Sequence, residues 1–268
     1  MAKRTTLSAV AGLACASWLL DRAARGDDTS PDEIAAAARA STNPLPFVEK
    51  LEVDPSYTFS HGGTLYRAEL ELQPVLPYEG ALIPGLDVEG VWSVARFQLT
   101  AESLQDANGT ASGLENLDFV DVAAHRIGAW TLAAGLGTVF PLATSSQLGP
   151  AKWQLGPAAG FYFDPAHVFS IGALTQALWS VAGSNQVARE SYVTLQPFVT
   201  LHLTAALLLK SDATTSFYWA GGSTTIPVNL GLGYAFSKHF VGAIKGTCTV
   251  AGHDEGTWKA ELELTFLP

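Results

Sequence analysis

The chain has 268 residues, a net charge of −10 and 48% hydrophobic residues, and charged residues make up 15% of it. Soluble globular domains carry about 25% charged residues, so this composition is more typical of a sheet with one face in lipid. The acidic balance argues against a nucleic-acid partner, because such proteins carry basic surfaces.

The start of the chain has the parts of a secretory signal peptide. Lys3 and Arg4 supply positive charge, residues 7–20 form an apolar stretch, and small residues offer cleavage positions at Ala16 or Gly26. The stretch is too short for a good membrane-spanning helix, which needs about 20 apolar residues. We therefore expect residues 1–26 to be a signal peptide that directs export through the inner membrane.

Residues 27–53 are polar and rich in alanine, and we expect them to form a periplasmic leader with a short helix. The run from Ser30 to Glu33 is a capping box with proline at the first helical position. Residues 34–40 favour a helix, and the Asn43-Pro44 pair would end it. A flexible leader is the alternative.

From about residue 54 onward, apolar and polar residues alternate with a period of two. The strongest runs cover residues 65–73, 130–142, 153–163, 190–204, 225–236 and 258–266, and weaker runs cover 54–61, 82–100, 114–127, 167–182, 206–219 and 239–251. Many reach about ten residues, whereas strands in soluble sheets average about five or six and bilayer-crossing strands need about 9–11. Aromatic residues near the ends of several runs suit the two interfacial girdles of a membrane barrel.

These twelve runs predict an all-β fold: a single antiparallel transmembrane β-barrel of about 12 strands (10–14) over residues 54–268, with a short N-terminal helix. The stretch 101–113 is the clearest candidate for a long loop. A soluble β-sandwich or a lipocalin-like cup is the alternative. Either would account for the alternation, but not for the combination of long runs, signal peptide and aromatic ends.

Several segments also carry a family resemblance. They are Gly137–Thr144, Lys152–Ala159, Trp179–Gly183, Leu195–Phe198, Ile226–Gly231 and Leu264–Pro268. In this order they resemble an outer-membrane family labelled neuromedin U-like, which is related to the phenol-degradation-associated outer-membrane proteins. The segments 205–219 and 238–250 depart from that pattern. The resemblance implies an outer-membrane barrel with a transport role, and it supplies no catalytic residues.

Charged residues share one face of the first and the last strong run. The candidate lumen-lining residues are Arg67, Glu69, Glu71 and Gln73 in the first, Lys259, Glu261 and Glu263 in the last, and His202 between them. Because the terminal strands of a closed barrel pair with each other, we expect the two acidic sets to meet inside. They would form either a cation-favouring constriction or a salt-bridge network that seals the barrel seam.

The sequence indicates no catalytic, cofactor-binding or metal-binding residues. The six histidines are scattered, Cys15 lies in the predicted signal peptide, and Cys248 would then be the one thiol of the exported chain. We therefore predict a passive channel or transporter for small solutes, hydrophobic ones among them, and not an enzyme. The expected partners are outer-membrane lipid, the barrel-assembly machinery and a small-molecule solute. The alternatives are a structural barrel with an occluded lumen and an outer-membrane lipid-modifying enzyme.

Overall fold

The computed structural model describes residues 29–60, 65–80, 90–106, 109–185, 189–219, 222–252 and 255–268. The predicted signal peptide and the first part of the predicted run 82–100 lie outside these residues. In the part described, no helix has the length and apolar character needed to cross a membrane.

The predicted helix is present as α1 (Pro31–Thr42). Ser30 caps it, because its side chain accepts a hydrogen bond from the Glu33 backbone N–H while the Glu33 carboxylate accepts one from the Ser30 backbone N–H. Asn43 follows the last helical residue in an extended conformation, so the helix ends where the sequence predicts.

In the described residues, fourteen strand segments follow the helix. They are β1 (Lys50–Ser60), β2 (Tyr66–Glu79), β3 (Val91–Asp106), β4 (Gly109–Leu114), β5 (Leu117–Ile127), β6 (Trp130–Phe140), β7 (Lys152–Phe163), β8 (Phe169–Gly183), β9 (Ser191–His202), β10 (Leu207–Ser211), β11 (Thr215–Tyr218), β12 (Thr224–Ser237), β13 (Phe240–Gly252) and β14 (Thr257–Phe266).

These segments make one closed antiparallel barrel of twelve strands. β4 and β5 both pair with β3 and form one interrupted strand, and β10 and β11, which both pair with β9 and β12, form another. The barrel closes where β14 pairs with β1. The predicted fold class and strand number are therefore confirmed.

The structure differs from the sequence prediction in places where strands are longer or interrupted. The stretch 101–113 is not a long loop, because β3 continues to Asp106 and β4 pairs back onto it from Gly109. The irregular run 206–219 is split between β10 and β11. The first strand begins at Lys50, so residues 50–53 of the expected leader belong to the sheet.

The alternation along β12 shows how the two faces of the wall differ. Val228, Leu230 and Leu232 are exposed on the outside, whereas Asn229 between them is buried and faces the lumen. Large apolar side chains are exposed in the same way on most other strands. An apolar outer face around a polar interior is the pattern of a lipid-embedded barrel.

The chain before β1 folds into the barrel at the end where β1 begins and β14 ends, here called the terminal end. Ala37 and Ala38 of α1 are buried against Leu208, Ala235 and Val241 of the wall. Leu45 is buried in a second apolar cluster with Val75, Trp92, Val94, Val120, Val122, Ala124, Ala133, Ala158 and Tyr162. The terminal end of the lumen is therefore filled by this segment, residues 31–48, which we call the N-terminal plug.

Candidate functional site in the lumen

A cavity of about 350 Å³ lies inside the barrel above the N-terminal plug. Seven of the eight predicted lumen residues line it, namely Arg67, Glu69, Glu71, Gln73, Lys259, Glu261 and Glu263. The geometry thus brings together the two charged sets that the sequence places on its first and last strong runs.

The route by which these sets meet differs from the prediction, because β14 pairs with β1 and not with β2. β1 lies between the two charged strands, and its inward-facing Ser56 is paired with Glu261 on one side and Glu69 on the other. Because the Ser56 side chain is small, a gap remains between Glu69 and Glu261 on the inner face of the wall. The Lys259 ammonium crosses this gap and lies 3.1 Å from a Glu69 carboxylate oxygen and 3.1 Å from one of Glu261.

Two further lysines hold the acidic residues of β14. Lys210 Nζ lies 2.6 Å from Glu263 Oε2 and 2.9 Å from Asp212 Oδ2. Lys245 Nζ lies 3.0 Å from Glu263 Oε2 and also contacts Glu261. Buried charges are stable only when they are paired, and here each lysine touches at least two carboxylates. We call Lys210, Asp212, Lys245, Lys259, Glu69, Glu261 and Glu263 the lumen network.

The network continues toward the opposite end of the barrel through Arg67. Arg67 Nε lies 2.8 Å from Glu102 Oε1, and Arg67 Nη1 lies 3.7 Å from Glu69 Oε1. Glu69, Glu102 and Glu115 offer carboxylate oxygens within 4.8 Å of one another, an arrangement that could hold a cation. Because the Arg67 guanidinium already contacts two of the three, this group does not argue for a metal ion.

Neutral amides complete the lining. Gln98 Nε2 donates to Glu71 at 2.8 Å, and Gln73 Nε2 donates to Glu52, whose other oxygen lies 2.7 Å from Lys50 Nζ. Lys50 Nζ also donates to the Ser41 carbonyl of α1 at 3.0 Å, which ties the N-terminal plug to the wall.

One hydrogen bond spans the lumen itself. Arg96 Nη1 on β3 donates to Gln196 Oε1 on β9 at 3.3 Å, and Gln196 Nε2 donates onward to the Asp212 carbonyl at 3.2 Å. β3 and β9 lie on opposite sides of the barrel, since four other strands separate them along the shorter way round. The lumen is therefore narrow at this level.

His202 is the predicted residue that the structure does not bring to the cavity. It is the last residue of β9 and has the same inward parity as Thr200, which does line the cavity. His202 lies at the terminal end instead and is half-buried.

Sequence reasoning missed Lys50, Lys210, Asp212 and Lys245. Lys210 and Asp212 sit in the irregular run 206–219, where no clean alternation marks a face, and Lys245 sits in the weak run 239–251. The usable signal was the rarity of lysine within apolar strands, since an ionisable residue in a membrane segment almost always faces the interior.

The outer end of the N-terminal plug carries a weaker ionic contact. Lys238 Nζ lies 3.5 Å from Glu33 Oε1, and both side chains are partly exposed to solvent. Hydrogen bonds from the Ser30 backbone and hydroxyl, together with the charge of Lys238, hold the pKa of the Glu33 carboxyl below its ordinary value. A solvent-accessible pair of this kind contributes little to stability.

The fold and the lumen together define a class: a closed twelve-stranded antiparallel β-barrel with an apolar outer face, a charged interior and an N-terminal segment inside. No protein-family model matches the chain, and no curated protein matches it in sequence.

Solved structures do match. The chain is similar to an outer membrane channel from Pseudomonas putida F1, with a TM-score of 0.64 and 12% identity over 85% of this chain and 98% of that one. It is similar to the NanC porin, with a TM-score of 0.54 and 12% identity over 80% of this chain and 98% of that one. The outer membrane phospholipase A from Escherichia coli matches with a TM-score of 0.47 and 12% identity over 90% of this chain and 98% of that one. At these identities, the likeness to the channel and to the NanC porin shows the fold alone.

Proposed function

We propose that the protein is a passive channel for small solutes in the outer membrane. The observation that carries this proposal is a charged, cavity-containing lumen inside a closed barrel whose outer face is apolar. Such a wall would lie in outer-membrane lipid, with residues 1–26 as its export signal and the barrel-assembly machinery as its insertion partner.

The similar folds support this proposal, because the two with the higher TM-scores are described as an outer membrane channel and a porin. The proposal includes membership of the neuromedin U-like family, on the segments that resemble it. Its further support is the interior itself, because a cavity lined by charged and polar side chains lies inside the barrel.

The lumen offers two kinds of lining to a solute. The lumen network and its neighbouring amides suit ions and small polar groups. The wall of the terminal end, with Val75, Val94, Val120 and Val122, suits an apolar body once the N-terminal plug is displaced. We therefore propose small solutes that combine an apolar part with a polar or charged group, which retains the hydrophobic solutes expected from the sequence.

Conductance across a planar bilayer tests the channel. Reconstituted protein should give discrete conductance steps in potassium chloride, with a slight preference for potassium because seven carboxylates and six cationic side chains line the cavity. Replacing Glu69, Glu71, Glu261 and Glu263 by glutamine should shift the reversal potential toward anion preference. Glu255→Gln, in the exposed β13–β14 turn, is the matched control and should leave the reversal potential unchanged. An unchanged reversal potential in the fourfold variant would remove these residues from the conduction path.

A structural barrel with an occluded lumen is the second candidate, and the N-terminal plug is the observation that favours it. Ala38 and Leu45 are almost completely buried inside the barrel. A barrel that conducts neither as the full chain nor after deletion of residues 29–45 would fit this candidate rather than a channel.

A lipid-modifying enzyme is the weakest candidate. In the residues that the structure describes, no histidine ring hydrogen-bonds a serine hydroxyl, which would be the first sign of an activated nucleophile. Release of fatty acid from phospholipid vesicles by purified, folded protein would overturn the assignment of a non-enzymatic channel.

A further inference from the structure

Arg96 differs from the other cationic side chains that line the cavity. Each of the other five contacts at least one carboxylate: Lys50, Arg67, Lys210, Lys245 and Lys259. Within the described part of the chain, Arg96 makes no ion pair, and the hydrogen bond it makes there goes to the neutral amide oxygen of Gln196. A guanidinium has five N–H donors, so this contact leaves most of them open to a group in the cavity.

The carboxylates nearest to Arg96 act on its charge from a distance, and they are those of Glu52, Glu71 and Asp118. Two of them are held by other side chains. Lys50 Nζ lies 2.7 Å from the first, and Gln98 Nε2 donates to the second at 2.8 Å. Asp118 is the register partner of Gln98 on the neighbouring strand. It is therefore the carboxylate that competes most directly for the guanidinium.

Apolar residues surround Arg96 toward the terminal end. Its register partners on the two neighbouring strands are Val75 and Val120, which belong to the apolar cluster of that end. Phe198, on β9 at the opposite side of the lumen, and Pro44, in the N-terminal plug, are partly exposed and line the cavity. Arg96 thus lies at the border between the charged half of the lumen and its apolar half.

We propose that Arg96 binds the carboxylate of a small monocarboxylic acid with an apolar body. The planar guanidinium offers paired N–H donors that match the two oxygens of a carboxylate, and the body would lie against Phe198 and Pro44. The cavity of about 350 Å³ is large enough, because small-molecule sites span about 300–1,000 Å³. The site rests on the proposed function, since it names the class of solute that the channel would take.

Equilibrium binding to the full chain, folded in a nonionic detergent, tests the site with three probes. Cyclohexanecarboxylate carries both the charge and the apolar body, acetate carries the charge alone, and cyclohexanecarboxamide carries the body alone. Isothermal titration should show that cyclohexanecarboxylate binds about tenfold more tightly than either of the others, because each of those lacks one half of the contacts. Equal affinity for the acid and its amide would overturn the proposal.

Substitutions should separate the two halves of the site in proteins whose folding is verified by heat-modifiable gel migration. Arg96→Gln should lower the affinity for cyclohexanecarboxylate to that of the amide, whereas Phe198→Ala should lower it to that of acetate. Arg96→Lys keeps the charge but not the paired donors, so it should bind the acid several-fold less tightly than the wild-type protein, and it serves if the glutamine variant does not fold. Arg126→Gln, which removes an exposed arginine of β5, is the matched control and should leave the preference for the acid unchanged. An undiminished preference in a folded Arg96 variant would overturn the proposal.

Asp118→Asn should have an effect of the opposite sign. Because it removes the competing carboxylate, it should strengthen binding of cyclohexanecarboxylate several-fold and leave the affinity for the amide unchanged; weaker binding of the acid would contradict the site. Binding in detergent does not require conduction, so the two proposals can fail separately. A protein that binds the acid through Arg96 but does not conduct would overturn the channel alone, and one that conducts without preferring the acid would overturn the site alone.

Discussion

The two halves of the lumen are held by opposite kinds of interaction. The lumen network joins β2, β10, β13 and β14 through lysine–carboxylate contacts in which every group except Lys259 is largely buried. The terminal end is filled by the apolar residues of the N-terminal plug, and among the described residues two lysines tie it to the wall, Lys50 at a helix carbonyl and Lys238 at Glu33. This contrast indicates that the first half belongs to the barrel and the second is an added segment, so each can be altered without the other.

The largest effect is expected from removing one carboxylate of the lumen network. Glu263→Gln removes the carboxylate that Lys210 and Lys245 share. Breaking a buried ion pair costs about 3–5 kcal/mol when a charge is left without a partner, and because Asp212 and Glu261 still contact the two lysines, we expect a loss near the lower end, about 3 kcal/mol. Urea unfolding of the protein in lipid vesicles, followed by tryptophan fluorescence, measures the loss. Glu255→Gln provides the control. A loss below about 1 kcal/mol would mean that water already solvates the lumen network.

The next effect concerns the plug alone. Leu45→Ala removes a side chain buried against the wall of the terminal end, which costs about 2–5 kcal/mol in a well-packed core. Because that energy holds a segment and not the barrel, the unfolding midpoint of the wall should change little while conductance rises several-fold. Val48→Ala, at an exposed position of the same segment, is the control. A large drop in barrel stability would show that the two halves are not separable.

The contrast between the two halves also explains why the sequence predicted the barrel wall better than the packing of the N-terminal plug. The strands of the wall could be predicted because alternation over about ten residues is typical of a strand and of no other regular structure, and the capping box from Ser30 to Glu33 marked the helix. The alternation also assigned Glu69, Glu71, Glu261 and Glu263 to one face. It could not show that β1 would separate the two charged strands, since its run is weak and Pro55 interrupts it.

The remaining misses have a common cause. Lys210 and Asp212 lie where one wall strand breaks between β10 and β11, and the break between β4 and β5 likewise hid the continuation of β3 through residues 101–106. A period of two cannot be followed across an interruption, because one extra residue reverses which face each later side chain takes. The packing position of the N-terminal plug depends on contacts with many strands of the completed barrel. No local sequence pattern could therefore predict it.

A smaller effect is expected at the helix cap. Ser30→Ala removes the acceptor for the Glu33 backbone N–H, and loss of such a cap costs about 1 kcal/mol of helix stability. The plug should therefore be cleaved a few times faster by a protease that cuts after Arg39, with the barrel left intact. Ser30→Asp, which can also cap, should restore the rate of the wild-type protein. If the wild-type protein and both Ser30 variants are cleaved at the same rate, the helix cap does not contribute to the docking of the plug.

The smallest effect is a pH dependence of the plug. Because the pKa of Glu33 is lowered in the folded chain, its contribution is present above its ordinary value of about 4.5 and is lost as the pH falls through the folded value. A spin label placed at Asp32→Cys should become more mobile between about pH 5 and pH 3. The same label in a Glu33→Gln variant should show no such transition, and an equal transition there would assign it to another group.

Both halves of the barrel share one wall, in which successive residues of a strand face lipid and lumen in turn. Single cysteines placed along β12 at positions 228 to 233, in a chain with Cys15→Ser and Cys248→Ser, can be spin-labelled and tested for collision with oxygen, which favours lipid, and with a water-soluble nickel complex. We predict higher oxygen access at positions 228, 230 and 232 than at 229, 231 and 233 after reconstitution. Equal access to the nickel complex at all six positions, with no alternation, would contradict a membrane-embedded wall.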